Sequence, residues 1–346
     1  MAIQEDLAQQ PIVVPGLPPV LQAAWGFWLS QTIYVAAKLG IADLVDDGPK
    51  TSEELARAAG ANASALHRVL RALASVGIFH QDESGRFTQT VHSSSLRTGV
   101  PGSFRAAAIA MNEEHYRAWG DLLHGVKNGA AAFDHVFGMG WIDYQNQNPA
   151  VAKAFHEALA ANSARMGSLT AAAYDFSGFN KIVDVGGGYG ALLTSILSAY
   201  PHVRGVLLDR APIIAGAREQ IESAGMSERC ELVVGDFFDE VPSGGDAYMM
   251  SFILHGWDDE RDLVILKNCH RAMPGHAKLL AVEIVVPPGN EPGLGKFADL
   301  NVMVMGVGAR ERTEAEYRDL LTRGGFKLIR VIPTTGLQSV LEAMPV

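Results

Sequence analysis

Hydrophobic and polar positions change rhythm along this chain. From Leu21 to Leu39, apolar and aromatic side chains (Trp25, Phe27, Trp28, Ile33, Tyr34, Val35) fall on nearly every side of a helix. A helix apolar all round is a buried one, and in an N-terminal segment a second subunit is one surface that can bury it. Gly40 stands where a left-handed C-terminal cap is expected. Thr51-Ser52-Glu53-Glu54 is a capping-box pattern opening a short helix that Gly60 closes. Ala63 to Val76 then puts Leu66, Val69, Leu70 and Leu73 on one face. Ile78-Phe79-His80 and Arg86-Phe87-Thr88-Gln89 flank Asp82-Glu83-Ser84-Gly85 and predict a hairpin. Two helices and a hairpin follow the order of a winged helix. From about 101 to 170 the pattern is helical again, with Met111, His115, Trp119, Phe133, Phe137, Trp141, Tyr144, Phe155 and Met166 divided between core and a possible aromatic pocket.

From Phe179 onward strand and helix alternate. The predicted strands are Ile182–Val185, Val203–Leu208, Glu231–Val234, Ala247–Met250, Lys278–Ile284, Phe326–Pro333 and Ser339–Ala343. Near-continuous apolar strands separated by helices predict a mostly parallel sheet covered on both faces. The last two strands, close together around Thr334-Thr335-Gly336, predict an antiparallel edge hairpin.

Composition narrows the class. The chain has 346 residues, 48% of them hydrophobic and 19% charged, enough for two domains and a large core. A net charge of −10 argues against nucleic acid or an anionic membrane as partner. Cys230 and Cys269 alone make a disulfide framework unexpected. Met1 to Gln10 is polar and acidic, unlike a secretory signal, and no apolar run is long enough to span a bilayer. The cytoplasm is the expected compartment.

Candidate chemistry gathers at the strand ends, where open α/β sheets bind ligands. Ile182-Val183-Asp184-Val185 runs into Gly186-Gly187-Gly188-Tyr189-Gly190 and then an apolar helix. Glycines let the backbone approach a ligand, and the helix start offers unpaired N–H groups. Gly186-x-Gly188-x-x-Ala191 also fits a dinucleotide fingerprint, with Asp209 near the position of its ribose-binding acid. Asp184 weighs against that reading, because a carboxylate so close to a pyrophosphate would repel it. It suits a cationic amino-acid ligand, and S-adenosylmethionine carries both an ammonium and a sulfonium. Asp209, after the second strand, is placed to accept from a ribose diol. Asp236, after the third, is placed to accept from an adenine amine, with Phe237 against the ring. The fourth strand leads through Ser251 into His255. A phenol has a pKa near 10, so a positioned imidazole that takes its proton as the oxygen attacks the methyl is useful there. Such a base needs an orienting partner. Glu283 and Glu311 are both candidates, and spacing does not choose between them. No His or Cys pair or carboxylate cluster of metal-ligand spacing is visible along the chain, so no metal is expected. His67, Arg68 and Arg71 on the second wing helix raise a DNA-binding reading, but the acidic balance favours a solvated face.

Three motifs in this order resemble one family. They are Asp184-Val185-Gly186-Gly187-Gly188-Tyr189-Gly190, Leu254-His255-x-Trp257-x-Asp259-Glu260 and Glu311-Arg312-Thr313. The chain resembles the caffeate-type, class I-like O-methyltransferases of plants and bacteria over nearly its whole length. The resemblance implies an α/β, Rossmann-like methyltransferase sheet behind a helical, winged-helix-like dimerisation domain. The expected division is 1–100 for dimerisation, 101–175 for a helical linker and substrate-pocket region, and 176–346 for the catalytic domain. It implies S-adenosylmethionine as methyl donor and S-adenosylhomocysteine as product. His255 would be the general base, flanked by Glu283 and Glu311. Ser163, Asp184, Gly186, Gly188, Asp209, Asp236, Phe237 and Ser251 would form the cofactor site, with Ser163 at the methionine end. Family members are metal-independent homodimers whose N-terminal helices intertwine. The implied reaction is in-line methylation of a hydroxyl, read as phenolic, on a small aromatic or polyketide-like metabolite. Two positions depart from the family: Gly256 replaces the usual Asp after the histidine, and Ser251 replaces the Lys frequent in plant members. A non-methylating enzyme on the same scaffold (decarboxylase, hydroxylase or pericyclase), a nicotinamide-dependent oxidoreductase and a winged-helix regulator are the alternatives.

Overall fold

The computed structural model describes Ile12, residues 16–100 and residues 102–346, the side chains of 156–162 excepted. The stretch Met1–Gln10 lies outside the described residues. Two compact units emerge: residues up to Arg117 with Asn148–Ala161, and Ala118–Gln147 with Asn162–Val346. The stretch 101–175 is divided between them.

In the first unit, the apolar segment after Pro18 is broken at Trp25 into helices Pro19–Ala24 and Gly26–Lys38. The second of these buries only Ala36 and Ala37, while Phe27 and Trp28 stay about half exposed. Gly40 takes a left-handed φ of 66°, which lets the chain turn out of the helix without a Cβ clash. Thr51 and Glu54 form the expected reciprocal cap on helix Ser52–Ala59. Helix Ala63–Ser75 buries Leu66, Leu70 and Leu73, with Val69 packed at the margin. Strands β1 (Phe79–Gln81) and β2 (Phe87–Gln89) pair antiparallel as the wing. On the second helix Arg68 and Arg71 are exposed, but the His67 ring lies 3.3 Å from Ser52 Oγ and edge-on to Phe87.

The second unit is built on a seven-stranded sheet. Its strands are β3 (Lys181–Val185), β4 (Arg204–Asp209), β5 (Cys230–Val234), β6 (Ala247–Ser251), β7 (Lys278–Ile284), β8 (Phe326–Pro333) and β9 (Gln338–Pro345). They stand in the order β5-β4-β3-β6-β7-β9-β8. The first five in this order run parallel, and the last two form an antiparallel hairpin. The chain's final strand, β9, inserts between β7 and β8. Apolar side chains of the central strands fill a core on each face of the sheet. After β3 the chain moves to β4 on one side, and it later returns to β6 on the other. The crevice between the carboxyl ends of β3 and β6 is therefore a topological switch point, where α/β sheets hold ligands. Both cysteines are free and buried. Among the described residues, no helix is long and apolar enough to cross a membrane.

Candidate active site

The turn after β3 forms the floor of the crevice. Gly186 and Gly188 have φ of 71° and 59°, a backbone region that L side chains rarely enter. A Cβ on Gly186 would lie 2.6 Å from Ile253 Cδ1 and 3.1 Å from Phe237 Cε1. The left-handed φ, with these side-chain tips close by, favours glycine where this turn meets Ile253 and Phe237. At Gly188 a Cβ would meet nothing within 4 Å, so the turn is open there. Helix Ala191–Ala199 starts at Gly190 with no side-chain cap, which leaves its first N–H groups available to a ligand.

Asp184 sits beneath this turn rather than in its mouth. It is 1% exposed, neither carboxylate oxygen has a hydrogen-bond partner, and a Cβ on Gly187 would stand 2.6 Å from Oδ2. Burial, with the charge of Asp209 added, pushes its pKa up to about 8. An orphaned buried carboxylate under a turn is a site waiting for positive charge. Asp209 Oδ2 accepts from the Gly188 amide at 2.9 Å and Oδ1 from the Arg210 amide at 2.7 Å. These contacts fix the carboxylate at the end of β4, where a ribose diol would be met. Asp236 Oδ1 accepts from the Phe238 amide at 2.9 Å. Phe237 is half-buried between Phe238 and Trp257, with ring centroids at 4.9 and 6.5 Å. Ser251 ends β6 and is half-buried. Ser163 is half-buried on helix Pro149–Ala173. It lies one turn before Gly167, where a Cβ would be 3.0 Å from Leu192 Cα. A buried carboxylate, a glycine cradle, an uncapped helix start and two strand-end aspartates fit a zwitterionic, sulfonium-bearing nucleoside.

His255 lies on a 3₁₀ turn, Leu254–Gly256, just past β6. Its Nδ1 is 2.8 Å from Glu311 Oε1, and its side chain is 22% exposed against 1% for Glu311. A carboxylate can only accept, so Nδ1 carries the hydrogen, and in the neutral ring Nε2 keeps its lone pair. Glu283 plays a different part. Its Oε1 accepts from the backbone amides of Ile253 and Leu254 at 3.0 and 2.9 Å. The two glutamates that spacing could not separate thus divide the work: Glu311 holds the ring and Glu283 holds the turn beneath it. Burial works against a charged imidazole, but the Glu311 hydrogen bond and the charges of Glu283, Glu311 and Asp262 outweigh it and raise the pKa of His255. Burial pushes Glu283 up to about 7.

Two features near His255 lay outside the motif reading, and a third, Arg312, stood in a motif with no role assigned to it. Phe252 adopts φ 55°, the one non-glycine residue with positive φ among those described, and its ring meets His255 edge-on at 5.3 Å. Asp299 accepts from the Glu311 amide at 3.0 Å. Arg312 is wholly buried behind the turn. Gly256 is exposed with no atom within 4 Å of an added Cβ, so its departure from the family pattern leaves open space.

The fold creates ligand spacing that the chain order hides. Single donor atoms of His255, Glu283 and Glu311 lie within 4.8 Å of one another, as do those of Asp121, His124 and His135. In the second group the His124 and His135 rings stack 3.7 Å apart at 7°. A metal ion lies in the plane of each imidazole it binds, so rings stacked this way cannot both ligate one ion. The aromatic residues of the middle region also sort themselves. Phe133, Phe137, Trp141 and Tyr144 pack on one another and on Val304 and Met305. Trp119 donates to Asn301 Oδ1 at 2.9 Å. In the first unit, buried His115 stacks on Phe155 at 5.6 Å, and burial lowers its pKa to about 4.

A family model described as the O-methyltransferase domain matches residues 119–327, and one described as the O-methyltransferase dimerisation domain matches 21–99. The chain is 47% identical to a phenazine O-methyltransferase of Lysobacter antibioticus, covering 96% of this chain and 97% of that protein. It is 35% identical to a phenazine-1-carboxylate N-methyltransferase of Pseudomonas aeruginosa, covering 90% and 92%. Among solved structures, it matches an O-methyltransferase of neocarzinostatin biosynthesis in complex with S-adenosylmethionine and 2-hydroxy-5-methyl naphthoic acid. That match has a TM-score of 0.80 and 30% identity, covering 92% of this chain and 96% of the other.

Proposed function

The chain belongs to the S-adenosylmethionine-dependent O-methyltransferases that carry a dimerisation domain, and on that premise we propose that it methylates a phenolic hydroxyl of a small aromatic or polyketide-like metabolite. One observation carries the reading: a partly exposed imidazole, held through Nδ1 by a buried carboxylate, stands at the sheet's switch point beside the glycine turn. S-adenosylmethionine supplies a methyl group on a positive sulfur. His255 Nε2 takes the acceptor's proton, and Glu311 stabilises the imidazolium that forms. Together they are expected to contribute about 10²–10⁴-fold. Holding oxygen and methyl at near-attack distance supplies much of the remainder.

For the cofactor, Asp209 and Asp236 would hold ribose and adenine, with Phe237 against the base. Gly186, Gly188 and the helix start would receive the methionine end, with Ser163 and Ser251 flanking. Asp184, which keeps its proton up to about 8 in the folded chain, would ionise beneath the turn as the cation binds. The two engaged glutamates support a metal-free proton transfer. A pyridine-type ring nitrogen has no proton to surrender, so a base held this way favours a hydroxyl over such a nitrogen as acceptor. The half-exposed Phe27 and Trp28 support a homodimer formed through the 1–100 segment, with 101–175 as linker and pocket region and 176–346 as catalytic domain.

The test is mass spectrometry of the protein with S-adenosylmethionine and a panel of hydroxyphenazines, hydroxynaphthoates and phenols, alongside His255→Ala. A product heavier by one methylene, matched by S-adenosylhomocysteine and largely lost in the variant with cofactor binding retained, is expected. Undiminished turnover in His255→Ala removes the base role. Cofactor binding without methylated product across the panel favours the non-methylating alternative.

A further inference from the structure

The turn that carries His255 is gripped from two sides by buried charges. Glu283 takes its amides. Its carbonyls go to the strip 310–312: Arg312 Nη1 donates to Leu254 O at 2.8 Å, Nη2 donates to Trp257 O at 3.3 Å, and the Arg310 amide donates to His255 O at 2.9 Å. Between Arg310 and Arg312 stands Glu311, which holds the ring. The strip is itself fixed, since the Val286 amide donates to Arg312 O at 2.9 Å just past β7.

Burying a guanidinium is costly unless it is paired. This one is 0% exposed, donates to Asp259 Oδ1 at 2.8 Å and lies 2.8 Å from Asp262 Oδ2. Both aspartates sit on the first turn of helix Asp259–Ala272, which follows directly from the histidine turn. One flat cation therefore ties together the residues before and after His255, the helix they lead into and the strip bearing Glu311. A structural charge pair alone would not need the two carbonyls on either side of the histidine.

We propose that Arg312 is a positioning residue for proton transfer, setting the alignment of the His255 ring on Glu311 through the backbone on both sides of the histidine. It touches neither cofactor nor acceptor. The inference rests on the reading of His255 as the base. Arg312→Lys separates this role from charge, because lysine keeps the cation near Asp259 and Asp262 but cannot span two carbonyls and a carboxylate with a rigid fork. Misplacement of about 1 Å at a reacting group costs about 10²-fold, so kcat is expected to fall about 10- to 100-fold with the KM for S-adenosylmethionine nearly unchanged.

The second readout needs no acceptor. In ¹⁵N-histidine NMR, with His255 assigned by its loss in His255→Ala, the titration midpoint in Arg312→Lys moves down toward that of a free imidazole as the Glu311 contact loosens. Asp259→Asn leaves the guanidinium in place but unties one of its partners. It gives the same pattern at smaller amplitude, and it stands in if the lysine variant does not fold. A variant with lowered melting temperature but unchanged kcat and midpoint overturns the proposal. If the wild type methylates nothing, or His255→Ala stays active, the base reading fails while the midpoint still reports whether Arg312 sets the ring.

Discussion

Replacing Glu311 by Gln removes one charge and almost no volume. In the native site Glu311 Oε1 accepts from His255 Nδ1 at 2.8 Å, and the carboxylate is 1% exposed, so water does not substitute for it. A hydrogen bond to a charged group contributes about 1.5–3 kcal/mol net and a neutral one about 0.5–1.5. If the glutamine carbonyl keeps the ring contact, the difference of about 1–1.5 kcal/mol lowers kcat roughly five- to tenfold. The other amide orientation is worse. An NH₂ turned to the ring donates to Nδ1, the tautomer inverts and Nε2 carries a hydrogen it cannot use as a base. The comparable amide substitution in a serine-protease triad costs about 10⁴-fold. Glu311 Oε2 has no hydrogen-bond partner, so an NH₂ placed there stays unsatisfied, which favours the inverted orientation. The expectation is a fall of at least about tenfold. The acid limb of the pH–rate profile also shifts downward, because the hydrogen bond that raises the His255 pKa is weakened. In the wild type that limb lies above the ordinary imidazole value of about 6.5, since the base must be neutral to act. Initial rates of S-adenosylhomocysteine release from pH 6 to 9, with a melting curve as control, measure both. Glu283→Gln, which keeps an acceptor for the Ile253 and Leu254 amides, loses less. A kcat within about threefold of wild type, with the limb unmoved, would refute the argument.

Further outcomes follow from the same geometry. Gly186→Ala forces a Cβ to 2.6 Å from Ile253 Cδ1 at a φ of 71°. Strain of about 1–2 kcal/mol should weaken S-adenosylmethionine about tenfold by calorimetry, and an unchanged Kd would sink the cradle reading. Asp184 keeps its proton up to about 8 in the folded chain and ionises near 4 when unfolded. The native state binds more protons through that window, so its contribution to stability falls as pH rises from about 4 to 8. Asp184→Asn should flatten that part of the curve of melting temperature against pH, and parallel curves for the two proteins would count against it. Dialysis against EDTA should leave turnover intact. Loss of activity restored by zinc or magnesium would show that His255, Glu283 and Glu311 hold a metal.

The sequence by itself determined what short-range physics controls. The alternation of apolar runs set the strands, and the antiparallel pair β8–β9 was visible because its turn is local. The capping box at Thr51 and the glycine turn after β3 are stereochemical needs written in adjacent residues. Strand ends named the acids, since a parallel sheet presents its ligands there. The tertiary structure decided which long-range partners meet. Glu283 lies 30 positions from the Ile253 amide it accepts from, and Glu311 lies 56 from the ring it holds. Their difference in role arises because β7 pairs with β6 while the strip at Arg312 bridges to Val285 beyond β7. Asp184 reads in the sequence as a ligand acid; only folding puts it under Gly187, where burial rather than contact sets its chemistry. Arg312 stands in the sequence as a motif residue without a role until three separate segments close around it. Local conformation depends on neighbours a few residues away, whereas burial and charge pairing depend on which distant segments the sheet brings together.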